Sequence, residues 1–309
     1  MTTTIAEQQH GRPAAAGASL AMAELAGRLH ARCDAHSFHT GWYLQDLHTG
    51  EEADRHGEVI VPSASTRKIA ILMAALKEVH AGRLSLEQPV TIEARYQIST
   101  SGCFQHFRPG FSITLHDVLL MMIVVSDNAC TGTIADMLGL EAINAFSRAA
   151  GMRGTTHREG IPRSTLRAAP AGAASGAGGD PRGVNETTPA DVGRLLHLIL
   201  QGAEAPAAAA TLGVSPELCR LALDILSWQK LNQRLPLLLP VGTRVAHKTG
   251  TGGRCYNDAG IVFRGERARF ILTVYTNLVP LELPDGSSAS GATSLLIGQL
   301  ARECWDALR

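Results

Sequence analysis

"VPSASTRKIAILMAAL", residues 61–76, is the stretch from which this chain is best read. Ser65 is followed at i+3 by Lys68, and Lys68 opens the uncharged run Ile69-Ala70-Ile71-Leu72-Met73-Ala74-Ala75-Leu76. Such a run predicts a buried helix, opened by Ser65 and continuing to about Ala81, before Gly82. A lysine at its mouth heads into an interior where an ammonium ion is costly to desolvate. Lysine is otherwise scarce: of 28 basic residues only Lys68, Lys77, Lys230 and Lys248 are lysines. Arginine keeps its proton at any accessible pH, whereas a buried lysine can release it. The placement suggests a base.

Toward the N-terminus, residues 18–34 carry helical spacing (Leu20, Met22, Leu25, Leu29). "SFHTGWYLQDLHTG" then reads as a strand ending in a turn, and "EEADRHGEVIV" as its returning partner. Toward the C-terminus, "LHDVLLMMIVV" predicts an apolar helix that stops at Ser126-Asp127-Asn128. "NACTGTIADMLG" and "LEAINAFSRAAG" predict helices closed by glycine. "AGAASGAGGDPRG" (171–183) reads as a mobile Gly-rich loop. "NETTPADVGRLLHLIL" opens a helix capped by Thr188 with Pro189 at N1, and "SPELCRLALDILSWQ" is another helix. After Pro240 come three strand patterns, "TRVAHKTG", "NDAGIVFRG" and "ARFILTVYTN", and a last helix, "SGATSLLIGQLARECWDAL". Strands thus flank a long helical middle. The expected fold is of the α+β kind within the α/β class. One antiparallel sheet is flanked by terminal helices and carries an inserted all-helical subdomain. The expected division is a disordered tail over 1–17, an α/β sheet subdomain from 18–61 and 225–309, and a helical subdomain over 62–224.

Composition excludes several functions. A formal net charge of +0 leaves no electrostatic footprint for nucleic acid or an anionic membrane. No apolar run approaches the roughly 18 residues that span a bilayer. The N-terminal "MTTTIAEQQHGRPAAAGASL" has no basic segment followed by a hydrophobic one, so a cytoplasmic location is expected. The six cysteines (Cys33, Cys103, Cys130, Cys219, Cys255, Cys304) form no CxxC pair and read as free thiols. There is no HExxH, and His36 with His39 makes a poor metal site, so neither metal nor cofactor is expected.

Three short motifs carry the chemistry: Ser65-Thr66-Arg67-Lys68, Ser126-Asp127-Asn128 and Lys248-Thr249-Gly250. Singly, each has a plainer reading. Ser65 could cap its helix while Lys68 snorkels outward, Ser126-Asp127-Asn128 could be a cap and turn, and Lys248-Thr249-Gly250 a strand end. In this order, on a helix start, a helix end and a strand, they resemble the class A β-lactamase and penicillin-binding-protein group of active-site serine enzymes. The resemblance runs from about residue 20 to the end and includes "NETTP". Residue i+3 lies on the face of Ser65, so the Lys68 amine can reach its hydroxyl and act as base once burial and the Lys248 charge disfavour its ammonium form. The resemblance implies that Ser126 passes a proton to the leaving group and that Asn128 orients Lys68 and the substrate amide. It implies an oxyanion hole from the backbone N–H groups of Ser65 and Thr251. It assigns Lys248, Thr249 and Arg254 to holding a substrate carboxylate, and counts Asn128, Gly250 and Thr251 among the substrate-binding residues.

The pattern breaks at one place. Class A enzymes release their acyl group with a glutamate in a Glu-x-x-Leu-Asn stretch. The corresponding segment here is "GMRGTTHREGIPRSTLR" (151–167), whose sole carboxylate is Glu159, with no Leu-Asn after it. Counted from Ser126, the glutamate position falls nearer Ile161, and Glu159 reads as a solvated loop charge. Acylation machinery without its deacylating base points to an intracellular serine acyl-transfer enzyme, hydrolase or transacylase. Its substrate would be a small amide, ester or β-lactam, with water or an amine as acceptor. The alternatives are a true class A β-lactamase, a D-Ala-D-Ala-type peptidase, and a non-catalytic sensor that is acylated and stops.

Overall fold

The structure, a computed structural model, describes residues 19–99, 101–162 and 184–309. The expected tail over 1–17 and Gly-rich loop over 171–183 lie outside the described residues. The sheet is built from both ends of the chain. Strands β1 (His39–Asp46) and β2 (Glu52–Arg55) come from the N-terminal part. The small strands β3 (Val61–Pro62), β4 (Pro89–Thr91), β5 (Ser112–Thr114) and β6 (Glu186–Thr187) follow. Strands β7 (Val245–Thr251), β8 (Tyr256–Arg264) and β9 (Arg267–Asn277) complete it. The five long strands run antiparallel in the order β2-β1-β9-β8-β7. β8 and β9 are joined through Gly265, which sits at φ 60°, a conformation that tight hairpin turns require.

Both faces of this sheet are covered, which is why β9 reads as a nearly unbroken apolar run. Phe270, Leu272 and Val274 face helices α1 (Leu20–Asp34) and α9 (Ala289–Ala307), packing with Leu25, Leu29, Ile297 and Leu300. The alternate residues Ile271 and Tyr275 face the helical middle of the chain. At its centre is α2 (Lys68–His80), buried from Lys68 through Leu76. A helix apolar on all sides is a core helix. Around it lie α3 (Leu115–Val124), α4 (Asn128–Leu138), α5 (Leu140–Ala149), α6 (Pro189–Glu204), α7 (Pro206–Leu212) and α8 (Pro216–Ser227). Their starts follow ordinary capping. The side chains of Thr114, Asp127, Thr188 and Ser215 each accept a backbone N–H from the first turn, and Pro189 and Pro216 occupy N1.

Four details differ from the sequence expectation. Ser65 does not open the α-helix: residues Ala64–Arg67 form a 3₁₀ turn and α2 begins at Lys68. Only Glu52–Arg55 of the expected returning strand pairs with β1. Asp54 caps the N–H of Gly57, His56 turns at φ 54°, and Val61–Pro62 leaves to pair with β6. Helix α7 was not expected, because "PAAAATL" shows no apolar–polar periodicity. The expected boundary between residues 224 and 225 falls inside α8, whose apolar face, Leu223 and Leu226 included, belongs wholly to the helical core. Among the described residues, no helix is long and apolar enough to cross a membrane.

Candidate active site

The 3₁₀ turn that carries Ser65 is held from both sides. Thr66 donates its hydroxyl to the Ser63 carbonyl and accepts one from the buried Tyr275 of β9. Ala64, just before Ser65, sits at φ 44°, a left-handed conformation that costs a non-glycine residue about 1–2 kcal/mol. Strand β7 lies directly against this turn at Gly250. A Cβ there would meet Ser63 O at 3.1 Å, Thr66 Cγ2 at 3.1 Å and Ala64 Cβ at 3.2 Å. The glycine of Lys248-Thr249-Gly250 is therefore what lets that strand approach Ser65 so closely.

Lys68 is buried, and its amine is solvated by the α3–α4 junction. Nζ lies 2.7 Å from Ser126 O, 3.1 Å from Ser126 Oγ and 3.0 Å from Asn128 Oδ1. Among the described residues, none of its hydrogen bonds goes to Ser65 Oγ, although the i+3 spacing suggested that contact. The extended side chain crosses instead to a junction that offers several oxygen acceptors. Ser126 turns at φ 57° so that its carbonyl and hydroxyl both face Nζ, and Ser101 Oγ donates to the same carbonyl. Asn128 Nδ2 donates to Ser99 Oγ, which fixes the amide so that Oδ1 points at Lys68. Asp127 caps α4 through Oδ1 and accepts the Phe104 N–H through Oδ2, pinning the wall formed by residues 101–104. Burial pushes the Lys68 amine well below the ordinary lysine range, and the charges of Lys248 and Arg67 push the same way against Asp127 and Cys130.

Lys248 is also buried, with Nζ donating to Thr249 O at 2.8 Å. Burial brings its amine down to about 7, opposed by Asp258 and aided by Arg234. Asp258 accepts the Leu235 N–H and lies 2.9 Å from His247 Nδ1. Arg234, which sequence reasoning missed, is nearly buried. It donates to the Gly250 and Asn257 carbonyls and, at 2.6 Å, to the Thr251 hydroxyl. "LNQRLP" carries no motif that would single it out. Arg254 is exposed and donates to the carbonyls of Leu278 and Val279, so the cation beside Thr251 is Arg234 and not Arg254.

The segment around Glu159 is anchored by its backbone. Asn185 Oδ1 accepts the N–H groups of Arg158 and Glu159, and the Glu159 carbonyl accepts from Arg67 and from Asn185 Nδ2. Arg158 is paired with Glu186 at 2.7 Å. All six cysteines are free thiols, and burial raises the thiols of Cys103 and Cys130, which makes them poor nucleophiles.

A family model described as the beta-lactamase enzyme family matches residues 24–308. Curated protein sequences gave no match. The fold is similar to a beta-lactamase from Sphaerobacter thermophilus, with a TM-score of 0.75 at 24% identity, covering 92% of this chain and 97% of that one. It is similar to PBP-A, with a TM-score of 0.75 at 26% identity, covering 92% and 95%. A glutamate-for-leucine mutant of PBP-A, seen as an acyl-enzyme complex with penicillin G, matches with a TM-score of 0.75 at 27% identity, covering 92% and 96%.

Proposed function

The chain belongs to the beta-lactamase enzyme family, and from that premise we propose that it is a serine acyl-transfer enzyme acting on a small amide, ester or β-lactam through an acyl-Ser65 intermediate. The observation that carries this reading is the buried Lys68 amine, held by Ser126 and Asn128 on the residue that follows the Ser65 turn. A neutral amine has two donors and one acceptor. Donation to Ser126 O and Asn128 Oδ1 leaves its lone pair free to take a proton.

In the proposed cycle Ser65 Oγ attacks the substrate carbonyl carbon as its proton passes to Lys68. The N–H groups of Ser65 and Thr251 receive the oxyanion. The proton moves through Ser126 to the leaving nitrogen or oxygen as its bond to carbon breaks. Lys248, and Arg234 behind the Thr251 hydroxyl, offer positive charge for a substrate carboxylate, and the Thr249 hydroxyl offers a hydrogen bond. Water or an amine then attacks the acyl-Ser65 ester, and Ser65 regains its proton.

The segment 151–162 carries one carboxylate, Glu159, and favours slow release to water. An amine acceptor suits such an intermediate, which makes transacylation the favoured form. The penicillin G adduct of the PBP-A mutant supports β-lactams as probes. Intact-mass analysis after incubation with esters, amides and β-lactams, with and without added amines, tests the reading. It predicts a covalent adduct that an amine discharges faster than water does. An adduct that no acceptor discharges supports the sensor alternative. Rapid hydrolysis of penicillin supports a true β-lactamase, and rapid hydrolysis of a D-Ala-D-Ala peptide supports a peptidase.

A further inference from the structure

Arg67 is the residue just before Lys68 in Ser65-Thr66-Arg67-Lys68, yet it is buried. Nη1 donates to the Glu159 carbonyl at 2.9 Å and lies 3.5 Å from His157 Nδ1, while Nη2 donates to the Gly160 carbonyl. A guanidinium taken out of water is ordinarily matched by a carboxylate that touches it. Here its hydrogen-bond acceptors are two peptide carbonyls and an imidazole, and the carboxylate that offsets its charge is that of Glu159. Even so, its charge is felt at the adjacent Lys68, whose ammonium form it disfavours.

The segment it grips is itself a shelf. Asn144 brackets His157, accepting its N–H and donating to its carbonyl, each at 2.8 Å. His157 Nε2 faces Ser147 Oγ at 3.4 Å, which leaves Nδ1 as the acceptor for Arg67 and the imidazole neutral. Asn185 binds the Arg158 and Glu159 N–H groups, and its own carbonyl takes the Ser63 N–H at 2.9 Å. Ser63 begins the turn that carries Ser65, so the shelf and the turn share partners at both ends.

We propose that Arg67 is a positioning residue for acylation: clamped by the 157–160 segment, it holds a fixed positive charge beside Lys68 and ties that segment to the Ser65 turn. This rests on the acyl-transfer reading above. The groups that act on the Lys68 amine are Lys248 from β7, Arg67 from the turn, and Asp127 with Cys130 from the start of α4. Lys248 and Arg67 favour the amine, and the other two favour the ammonium. Burial lowers Arg67 only to about 10, so its charge persists throughout the range in which Lys248, brought down to about 7, titrates. Arg67 is the steady member of the pair.

The test is the pH dependence of acylation by a fluorescent penicillin in the parent protein, Arg67→Gln and Arg67→Lys, with hydrogen exchange at the Arg158 and Glu159 amides. In Arg67→Gln the acid limb is expected at higher pH, because a lost positive charge lets Lys68 keep its proton. Acylation at pH 7 then falls by about tenfold or more, and the rate at high pH stays within a few fold of the parent. In Arg67→Lys the charge remains and the two-carbonyl fork is lost, so the limb stays while the two amides exchange faster. An unmoved limb in Arg67→Gln, or a uniform loss at every pH, overturns the inference while leaving acyl transfer intact. Should Arg67→Gln fail to fold, Arg67→Lys decides: a displaced limb or unchanged exchange refutes the proposal. A parent protein that takes no label refutes acyl transfer and this inference together.

Discussion

Lys68 Nζ lies 3.1 Å from the Oγ of Ser126, a residue 58 positions along the chain, and both side chains are buried. The contact joins two motifs that have no local reason to meet. In the proposed cycle this is the contact through which a proton taken from Ser65 would be passed on to Ser126. Most of what is expected of this protein follows from it.

The first expectation concerns Lys68 itself. Lys68→Arg keeps a positive charge and removes the ability to accept a proton. Acylation by a β-lactam or ester probe, followed by stopped-flow or quenched mass analysis, should fall by at least ~10²-fold, as for loss of a general base. A rate near that of the parent would remove Lys68 from the role.

Lys248 gives a stability signature with a definite sign. Its amine is brought from 10.5 to about 7 in the folded state. Between those values the unfolded chain binds the proton that the folded chain has released, so stability rises with pH through this window. Lys68 is shifted in the same direction. Thermal unfolding from pH 7 to pH 10 should show Lys248→Met with a smaller rise than the parent. Equal slopes would mean that Lys248 is not desolvated as described.

Gly102 sits at φ 92°, and a Cβ there would run into Asp127 Oδ2 and meet Asp127 Cα at 2.5 Å. Gly102→Ala must push Asp127 aside, and with it Ser126 and Asn128, which hold Lys68. The expected cost is roughly 2–4 kcal/mol in chemical denaturation, together with slower acylation. A variant as stable and reactive as the parent would show that the 101–104 wall is not coupled to the Lys68 site.

Glu159 is held by its backbone in the shelf under Arg67. Read as a bystander to deacylation, it predicts that Glu159→Gln leaves turnover within a few fold. Loss of a deacylating base costs about 10²–10⁴-fold, so the outcomes separate cleanly. Adduct that accumulates in Glu159→Gln but not in the parent would restore an ordinary β-lactamase mechanism.

The sheet, its terminal helices and most of the helical middle were legible because long elements declare their period, as in β9 and α6, and their caps, as at Thr188. The sequence pointed to three motifs because the proposed nucleophile, base and strand glycine each need a particular residue type, and the fold brings Lys68 to Ser126 and Gly250 against the Ser65 turn. Short or tertiary features were not. Whether Ser65 stands on an α-helix or a 3₁₀ turn depends on packing by Gly250 and Tyr275, far away in sequence. Arg234 reaches Thr251 only through the fold, and the contacts of Arg67 with the 157–160 segment are likewise made between parts of the chain far apart in sequence. Arg254 was the natural guess for a cation near the strand end, but the Leu278 and Val279 carbonyls draw it away.

The most direct test of the central claim is the location of the adduct. The protein and its Ser65→Ala variant are each treated with penicillin G or an activated ester, quenched, digested and mapped by mass spectrometry. The account predicts one acyl group per chain, carried on the peptide containing Ser65, and no adduct on the variant. Adduct on Ser63 or Cys103, or labelling that survives in Ser65→Ala, would contradict it.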